Sequence, residues 1–363
     1  MMENEGFVSV VIPAFNAERF IQNAVGSCVS QTYRPLEIVV VNDGSTDSTV
    51  ERVRRLFYLV KSDEVLLKLV EIDQNRGAAN ALKIGFSITK GSYVCWLSAD
   101  DMFIYDRKIE KQVAQMKKKG AMWSYYRNAY EGTALSTARL QRNSYLSHLA
   151  FLDPLFINDS YLRMMLLLFR NPINGSSIMI RRDCFETYGQ FDPLARNVDL
   201  DGDLWMRYSC LKLELAAIRG APVFYREHLN QTSKKRELML YGSELTRMRM
   251  LTFLARKGIL LYMLKKFSPY LPIILSTKQP LERPFVSEFL FNYILCHRKE
   301  FNRILVKWVH KSLVDVRNHP NYFMLDRNRF LQDLESFSES PEFKRFEENI
   351  SKQWVSCIGD DVN

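Results

Sequence analysis

The stretch Ser98-Ala99-Asp100-Asp101, directly after the apolar run Tyr93-Val94-Cys95-Trp96-Leu97, holds the residue types best placed to do chemistry. A buried strand that ends abruptly in adjacent carboxylates presents them at the carboxyl edge of a sheet, where α/β folds bind ligands. Hard cations such as Mg²⁺ take oxygen ligands, keep waters and share substrate phosphates, so one or two carboxylates suffice. The same residues could instead form an Asp-rich turn and helix cap. A second acidic group, Asp199, Asp201 and Asp203, opens the helical pattern that runs to Lys212. A carboxylate at a helix N-terminus stays ionised, which suits a general base near neutral pH. His228 follows the short run Val223-Phe224-Tyr225-Arg226. An imidazole there can join a carboxylate on a cation, touch a diphosphate, or simply be structural.

These groups need a scaffold, and the pattern around them supplies one. β-Branched and apolar runs at Phe7–Ile12, Leu36–Val41, Val65–Ile72, Tyr93–Leu97 and Ala121–Tyr126 read as strands. Between them, Ala17–Ser30, Thr46–Tyr58, Ala78–Thr89 and Tyr105–Lys119 carry a helical apolar period. That alternation predicts an α/β fold with a mostly parallel sheet flanked by helices. Residues 140–170 read as mostly helical, Gly175–Ile180 as a strand, and Val223–Arg226 as the last strand. After about residue 235 the pattern is helical, broken by Pro269, Pro272, Pro280 and Pro284. The expected domains are therefore residues 1–232, a sheet-bearing domain split near residue 126, and 233–363, a helical extension.

Composition bounds the class. The 363 residues, 47% hydrophobic and 25% charged, suit a globular chain with a sizeable core. No run approaches the roughly 18 apolar residues needed to span a bilayer, and the acidic start does not read as a signal peptide. The six cysteines lack metal-site spacing and most read as buried fillers in a reducing compartment, so the chain is expected to be cytoplasmic. Charge is uneven: residues 231–330 hold 19 Lys and Arg against 7 Asp and Glu, and the tail from 331 holds 3 against 8. A basic segment invites an anionic partner, although a solvated helical face explains it as well. Arg247, Arg249, Arg256, Lys257, Lys265 and Lys266 flank Leu- and Met-rich helix, which reads as membrane-surface docking or ordinary helical packing. The aromatics of this region are not interleaved for base stacking, so nucleic acid is not the expected partner.

In order along the chain stand Val10-Val11-Ile12-Pro13-Ala14-Phe15-Asn16-Ala17, Asn42-Asp43-Gly44-Ser45-Thr46-Asp47, Asn75-Arg76-Gly77 and Leu97–Asp101. Gly175-Ser176-Ser177, Gly189-Gln190-Phe191-Asp192, Asp201-Gly202-Asp203-Leu204-Trp205 and Tyr225-Arg226-Glu227-His228 follow. This series, over residues 7–232, resembles the family 2 glycosyltransferases, which are inverting enzymes of the GT-A fold. The resemblance implies transfer of a hexose-type sugar from a nucleoside diphosphate sugar, a UDP-sugar by preference, to a hydroxyl of a glycan or lipid-linked acceptor. It implies a Mn²⁺ or Mg²⁺ cofactor at Asp100, with His228 as a second ligand. Pro13, Ala14, Asn16, Asp43, Arg76, Ser98 and Asp100 are then expected around the nucleotide sugar. Asp43 would accept the imide N–H of the base, and Asp201 would be the catalytic base, with Asp203 its competitor. Gly175, Ser176 and Trp205 are expected to face the acceptor, Trp205 with core packing as the rival role. Two positions depart from the pattern: Ser98 stands where an acid is common, and Leu200 replaces the first member of the acidic pair. A nucleotidyltransferase would show a Gly-rich phosphate loop after the first strand, which Pro13–Asn16 lacks. A non-catalytic scaffold would not need both Asp100 and Asp201.

Overall fold

The computed structural model describes residues 6–60, 62–142, 153–272 and 283–358. Pro280 and part of the expected 140–170 helix lie outside the described residues, as does the side chain of Cys357. The chain divides into two compact units. The first takes Met1–Asp153, Pro172–Asp201 and Leu213–Gln231; the second takes Pro154–Asn171, Gly202–Lys212 and Thr232–Asn363. Residues 154–171 and 202–212, expected with the sheet, thus belong to the helical unit.

The first unit alternates strand and helix: β1 Val8–Ala14, α1 Ile21–Val29, β2 Leu36–Asp43, α2 Thr49–Leu59, β3 Val65–Ile72, α3 Ala78–Ile88 and β4 Tyr93–Trp96. There follow β5 Met102–Phe103, α4 Lys108–Lys119, β6 Trp123–Tyr126, β7 Asn128–Gly132 and β8 Arg139–Arg142. A seven-stranded sheet has the order β10-β6-β9-β4-β1-β2-β3, where β9 is Met179–Arg181 and β10 is Leu215–Ile218. Parallel pairs join β1 to β2 and β4, β2 to β3, and β10 to β6. Only β9 runs against its neighbours within this sheet. Val8, Val10, Val11, Ile12, Ile38, Val39, Val40 and Val41 are all closed to solvent. Burial on both faces is what a central parallel sheet requires, and it explains the unbroken apolar runs. The strand order reverses at β1, with β2 on one side and β4 on the other, and the crevice at such a switch is where open α/β sheets bind ligands.

A second sheet, ordered β5-β11-β7-β8 with β11 at Val223–Arg226, did not stand out in the sequence. Its strands are two to five residues long, too short to show an alternating pattern. Its edge strand, Arg139–Arg142, takes in the first residues of the expected 140–170 helix. Gly175–Ser177 is a helical turn, and the strand expected there begins at Met179.

In the second unit the described helices are α5 Asp153–Asn158, α6 Ser160–Leu167, most of α8 Leu200–Cys210, α9 Arg236–Arg256 and α10 Ile259–Lys266. After these come α11 Pro284–Cys296, α12 Arg303–Asn318, α13 Pro320–Phe323, α14 Arg327–Ser338 and α15 Pro341–Ile358; α7, Arg182–Tyr188, belongs to the first unit. Its core holds a closed charge cluster. Asp203 accepts Arg207 Nη2 at 2.9 Å and Arg249 Nη2 at 2.6 Å, and all three side chains are fully buried. Arg249 also donates to the Phe337 carbonyl at 2.8 Å and lies between the rings of Phe337 and Phe343, 3.7 and 4.4 Å from their centroids. Burial alone would raise the Asp203 carboxyl, but Arg207 and Arg249 outweigh it and hold the group below the ordinary carboxylate range. Arg247 is 1% exposed. Neither Arg247 nor Arg249 can meet a membrane, which corrects that part of the basic-helix expectation. Among the described residues, no helix is long and apolar enough to cross a membrane.

Candidate active site

The acidic turn is built by strand register. β11 pairs antiparallel with β5, Val223 opposite Phe103 and Phe224 opposite Met102. Extending that register brings Tyr225 and Arg226 beside Asp101 and Asp100. The Arg226 N–H accordingly donates to Asp101 Oδ1 at 3.1 Å, and Arg226 Nε donates to the Asp100 carbonyl at 3.0 Å. Two residues on, His228 Nε2 reaches Asp100 Oδ2 at 2.9 Å. Asp100 and His228 remain 28% and 22% exposed, so their shared edge is open to a ligand. Gln231 fixes the far side of this loop, donating to the Arg226 carbonyl at 2.5 Å and accepting the His228 N–H at 3.2 Å. Phe20 backs the site: the His228 ring lies 5.0 Å from its centroid and the Arg226 guanidinium 5.0 Å.

Asp101 plays the opposite part to Asp100. It is 1% exposed, and its Oδ2 accepts the Ser176 hydroxyl at 2.5 Å. Burial, then the neighbouring Asp100 charge, push its carboxyl well above the ordinary range. Ser176 Oγ also accepts the Ser98 N–H at 3.0 Å. The expectation that Ser176 faces an acceptor is thereby corrected: it is 1% exposed and braces the acidic turn. Gly175 is likewise structural, because a Cβ there would come within 2.2 Å of the Trp96 ring. Trp205 is fully buried in the second unit, 6.3 Å from the Tyr208 ring, so its core role prevails over the acceptor role.

At the other side of the sheet's switch point, the loops after β1 and β2 are knitted together. The Asn16 N–H donates to Ser45 Oγ at 2.9 Å, and Asn16 Oδ1 accepts the Thr46 N–H at 2.9 Å. Asn16 sits at φ 49°, a left-handed value that Asn tolerates better than most residues. Asp43 is 2% exposed, and its two oxygens accept the N–H groups of Arg76 at 2.9 Å and Gly77 at 2.7 Å. Its first duty is therefore to hold the turn into α3, and only its remaining lone pairs could meet a base. Gly77, at φ 94°, abuts the Arg196 backbone, where a Cβ would sit 3.0 Å away. The Arg76 side chain is exposed and free to reach a ligand. Pro13 is half-buried and Ala14 buried beneath the same edge, while Ser98 stays half-buried at the end of β4.

The turn that Asp43 holds is tied onward to the loop before α8. Asn197 Oδ1 accepts the Ala78 N–H at 2.6 Å, and the Arg196 carbonyl accepts the Ala79 N–H at 2.7 Å. Asp199, at φ 51°, then leads into the first turn of α8, where Asp201 is half-buried. Asp203 is closed in its guanidinium cluster, whereas Asp199 and Asp201 are both half-buried at the start of α8. Sequence reading missed Arg226, Gln231, Asn197 and Phe15. Phe15, 49% exposed one residue past β1, is an apolar plate on which a base could stack. An aromatic residue directly after a strand-ending Pro-Ala was the one available signal; the others depend on contacts far apart in sequence.

Asp100 Oδ2 and His228 Nε2 face each other at hydrogen-bond distance with solvent on one side. Among the described residues no group of three or more His, Cys, Asp or Glu gathers as a complete metal site. The pair fits a hard divalent ion only as half a shell, completed by waters and ligand phosphates.

Comparison with known proteins adds five findings. A family model described as glycosyl transferase family 2 matches residues 9–189. An uncharacterized glycosyltransferase of Haemophilus influenzae is 34% identical over 245 residues, 64% of this chain and 69% of that protein. One from Rickettsia felis is 32% identical over 236 residues, 63% of this chain; the chain spans only 35% of that relative's length. S. aureus TarS 1-349 in complex with UDP-GlcNAc shares the fold at TM-score 0.54 and 14% identity, over 92% of this chain and 90% of that one. Mannosyltransferase PcManGT from Pyrobaculum calidifontis, in complex with GDP-Man and Mn2+, matches at TM-score 0.52 and 16% identity, over 91% and 86% of the two chains.

Proposed function

The chain belongs to glycosyl transferase family 2, and on that premise we propose that it transfers a hexose-type sugar from a UDP-sugar to a hydroxyl of a glycan or lipid-linked acceptor, with inversion. The observation that carries this reading is the Asp100–His228 pair at the open carboxyl edge of β4, braced from behind by Asp101, Ser176 and Arg226. A divalent cation, Mn²⁺ or Mg²⁺, would be held there by Asp100 and His228, and when bound would offset charge on the leaving diphosphate.

The chain's own groups account for the remaining steps. Phe15 offers the base a stacking face, and the exposed Arg76 guanidinium can pair with the diphosphate. Asp201 accepts the acceptor's hydroxyl proton as that oxygen attacks the anomeric carbon. The bond to the diphosphate breaks on the opposite face, and the nucleoside diphosphate leaves with the bonding pair. One displacement inverts the anomeric centre, and no sugar–enzyme bond forms.

Donor binding and slow hydrolysis across a panel of nucleotide sugars, with Mn²⁺ and without, test this reading. The expected result is selectivity for one uridine-linked donor, metal dependence weakened in Asp100→Ala, and turnover lost in Asp201→Asn. A product retaining the donor's anomeric configuration would rule out single displacement. No donor binding at any metal concentration would favour a non-catalytic scaffold.

A further inference from the structure

The second unit carries a predominantly basic face on α12, and we propose that this face docks the protein on an anionic phospholipid surface. The inference stands apart from the transfer reaction and does not depend on it. α12 buries Leu305, Val309, Leu313 and Val316 along one side. Its opposite side presents Arg303, Lys307 and Lys311, spaced four residues apart and therefore stacked along one stripe. His310 and Val314 lie within the stripe and Ile304 beside it; Val314 is 54% and Ile304 81% exposed.

Among the described residues, Arg303, Lys307 and Lys311 form no ion pair. Glu300, in the turn before the helix, is paired with Lys265 at 2.8 Å. Arg317, near the helix end, is itself paired with Glu288 at 2.9 Å. Asp315, the only acid on α12, follows Lys311 by four residues and ends the basic row. Beside the stripe, an open groove of about 480 Å³ is floored by Leu295 and Val306 and rimmed by Arg298, Lys307 and His310. Three nitrogen-bearing heads around an apolar floor match a phosphodiester headgroup with the start of its acyl chains.

The exposed apolar groups decide between anionic partners. Ile304 and Val314 are aliphatic and gain by entering the headgroup boundary, whereas nucleic acid needs aromatic plates for stacking. The helix's one large aromatic, Trp308, is turned away, edge-on to Phe291 at 5.9 Å. α12 thus replaces α9, whose Arg247 and Arg249 are buried, as the basic surface of this unit.

The test is co-sedimentation of the full chain with phosphatidylcholine vesicles, with and without phosphatidylglycerol, at low and at physiological salt. Binding is expected only to the anionic vesicles and should weaken with salt. Replacing both Lys307→Gln and Lys311→Gln should lower the partition coefficient roughly 30-fold, about fivefold for each basic residue near the surface. The matched pair Lys117→Gln and Lys118→Gln, exposed on α4 of the first unit, removes the same net charge and should change it little. Unfolding midpoints of both pairs should match the unsubstituted chain. Equal losses from the two pairs would show that only net charge matters and would overturn the assignment. So would absent vesicle binding, whether accompanied by inorganic phosphate, by an oligonucleotide or by self-association of the chain.

Discussion

At the Ser98–Asp101 turn of the first unit, Asp100 is 28% exposed and meets a single imidazole, whereas in the second unit Asp203 is closed to solvent and grips two guanidiniums. Asp100 stands next to a second acid and Asp203 two residues from one, each just ahead of apolar residues, so their local sequences resemble one another. Their surroundings assign opposite work. Asp203 is gripped by guanidiniums from its own helix and from α9, and such a buried cluster holds the two helices together. Asp100 keeps unfilled coordination at an open edge, and that is the condition for binding something else. The lesson is that a carboxylate's unused valence, rather than its motif, marks it for chemistry.

Breaking the closed cluster should give the largest effect. Asp203→Ala leaves Arg207 and Arg249 buried without their anion, and about 3–5 kcal/mol of stability should be lost by urea or thermal unfolding. A loss under about 1 kcal/mol would mean that the cluster does not hold these helices. The open turn should respond in the reverse way. Asp100→Ala is expected to cut turnover by about 10²–10³-fold, as for other preorganised charge-stabilising groups, with the unfolding midpoint nearly unmoved. If stability fell along with turnover, Asp100 would belong with Asp203.

Ser176→Ala sharpens the comparison from behind the turn. It removes the group that links the Ser98 N–H to Asp101, and about 1–3 kcal/mol should be lost, with a smaller fall in turnover than Asp100→Ala gives.

Glu244 supplies a third kind of buried acid. It accepts the N–H groups of Phe285 at 3.3 Å and Val286 at 2.8 Å at the start of α11. Burial raises its carboxyl, and the Val286 N–H and the Arg283 charge only partly offset this, leaving it pushed up from 4.5 to about 7. A raised folded value means that its contribution is complete below about 4.5 and is lost as pH rises through about 7. Unfolding of the unsubstituted chain measured against Glu244→Gln should therefore show a gap that closes by about 1–3 kcal/mol over that window. A gap constant with pH would contradict it.

The sequence made the first unit's α/β order legible because β1 to β4 are long apolar runs separated by amphipathic helices of ordinary length. Helix starts were less legible: Ala17–Ser30 contracts to Ile21–Val29 because Asn16 and Ala17 are tied to the loop after β2. β5, β7 and β8 are too short to carry a period. Asp100, Asp101 and His228 could be found as types in order, but their division of labour depends on the β5–β11 register. Ser176 and Gly175 looked like ligand contacts because a small-residue turn reads the same whether a substrate or Trp96 lies against it. Arg247 and Arg249 read as surface charge, since nothing local reveals that the anion for Arg249 lies on another helix.

Asp201, half-buried in the first turn of α8, carries the central role of general base in the proposed reaction. The measurement that tests it directly is turnover of the selected donor by Asp201→Asn, together with its donor affinity and its unfolding midpoint. Turnover should fall by at least about 10²-fold, the ordinary worth of a general base, while affinity and midpoint stay where they were. Turnover that persists, or that falls only in step with stability, would contradict the assignment and return Asp201 to the role of a helix-start acid.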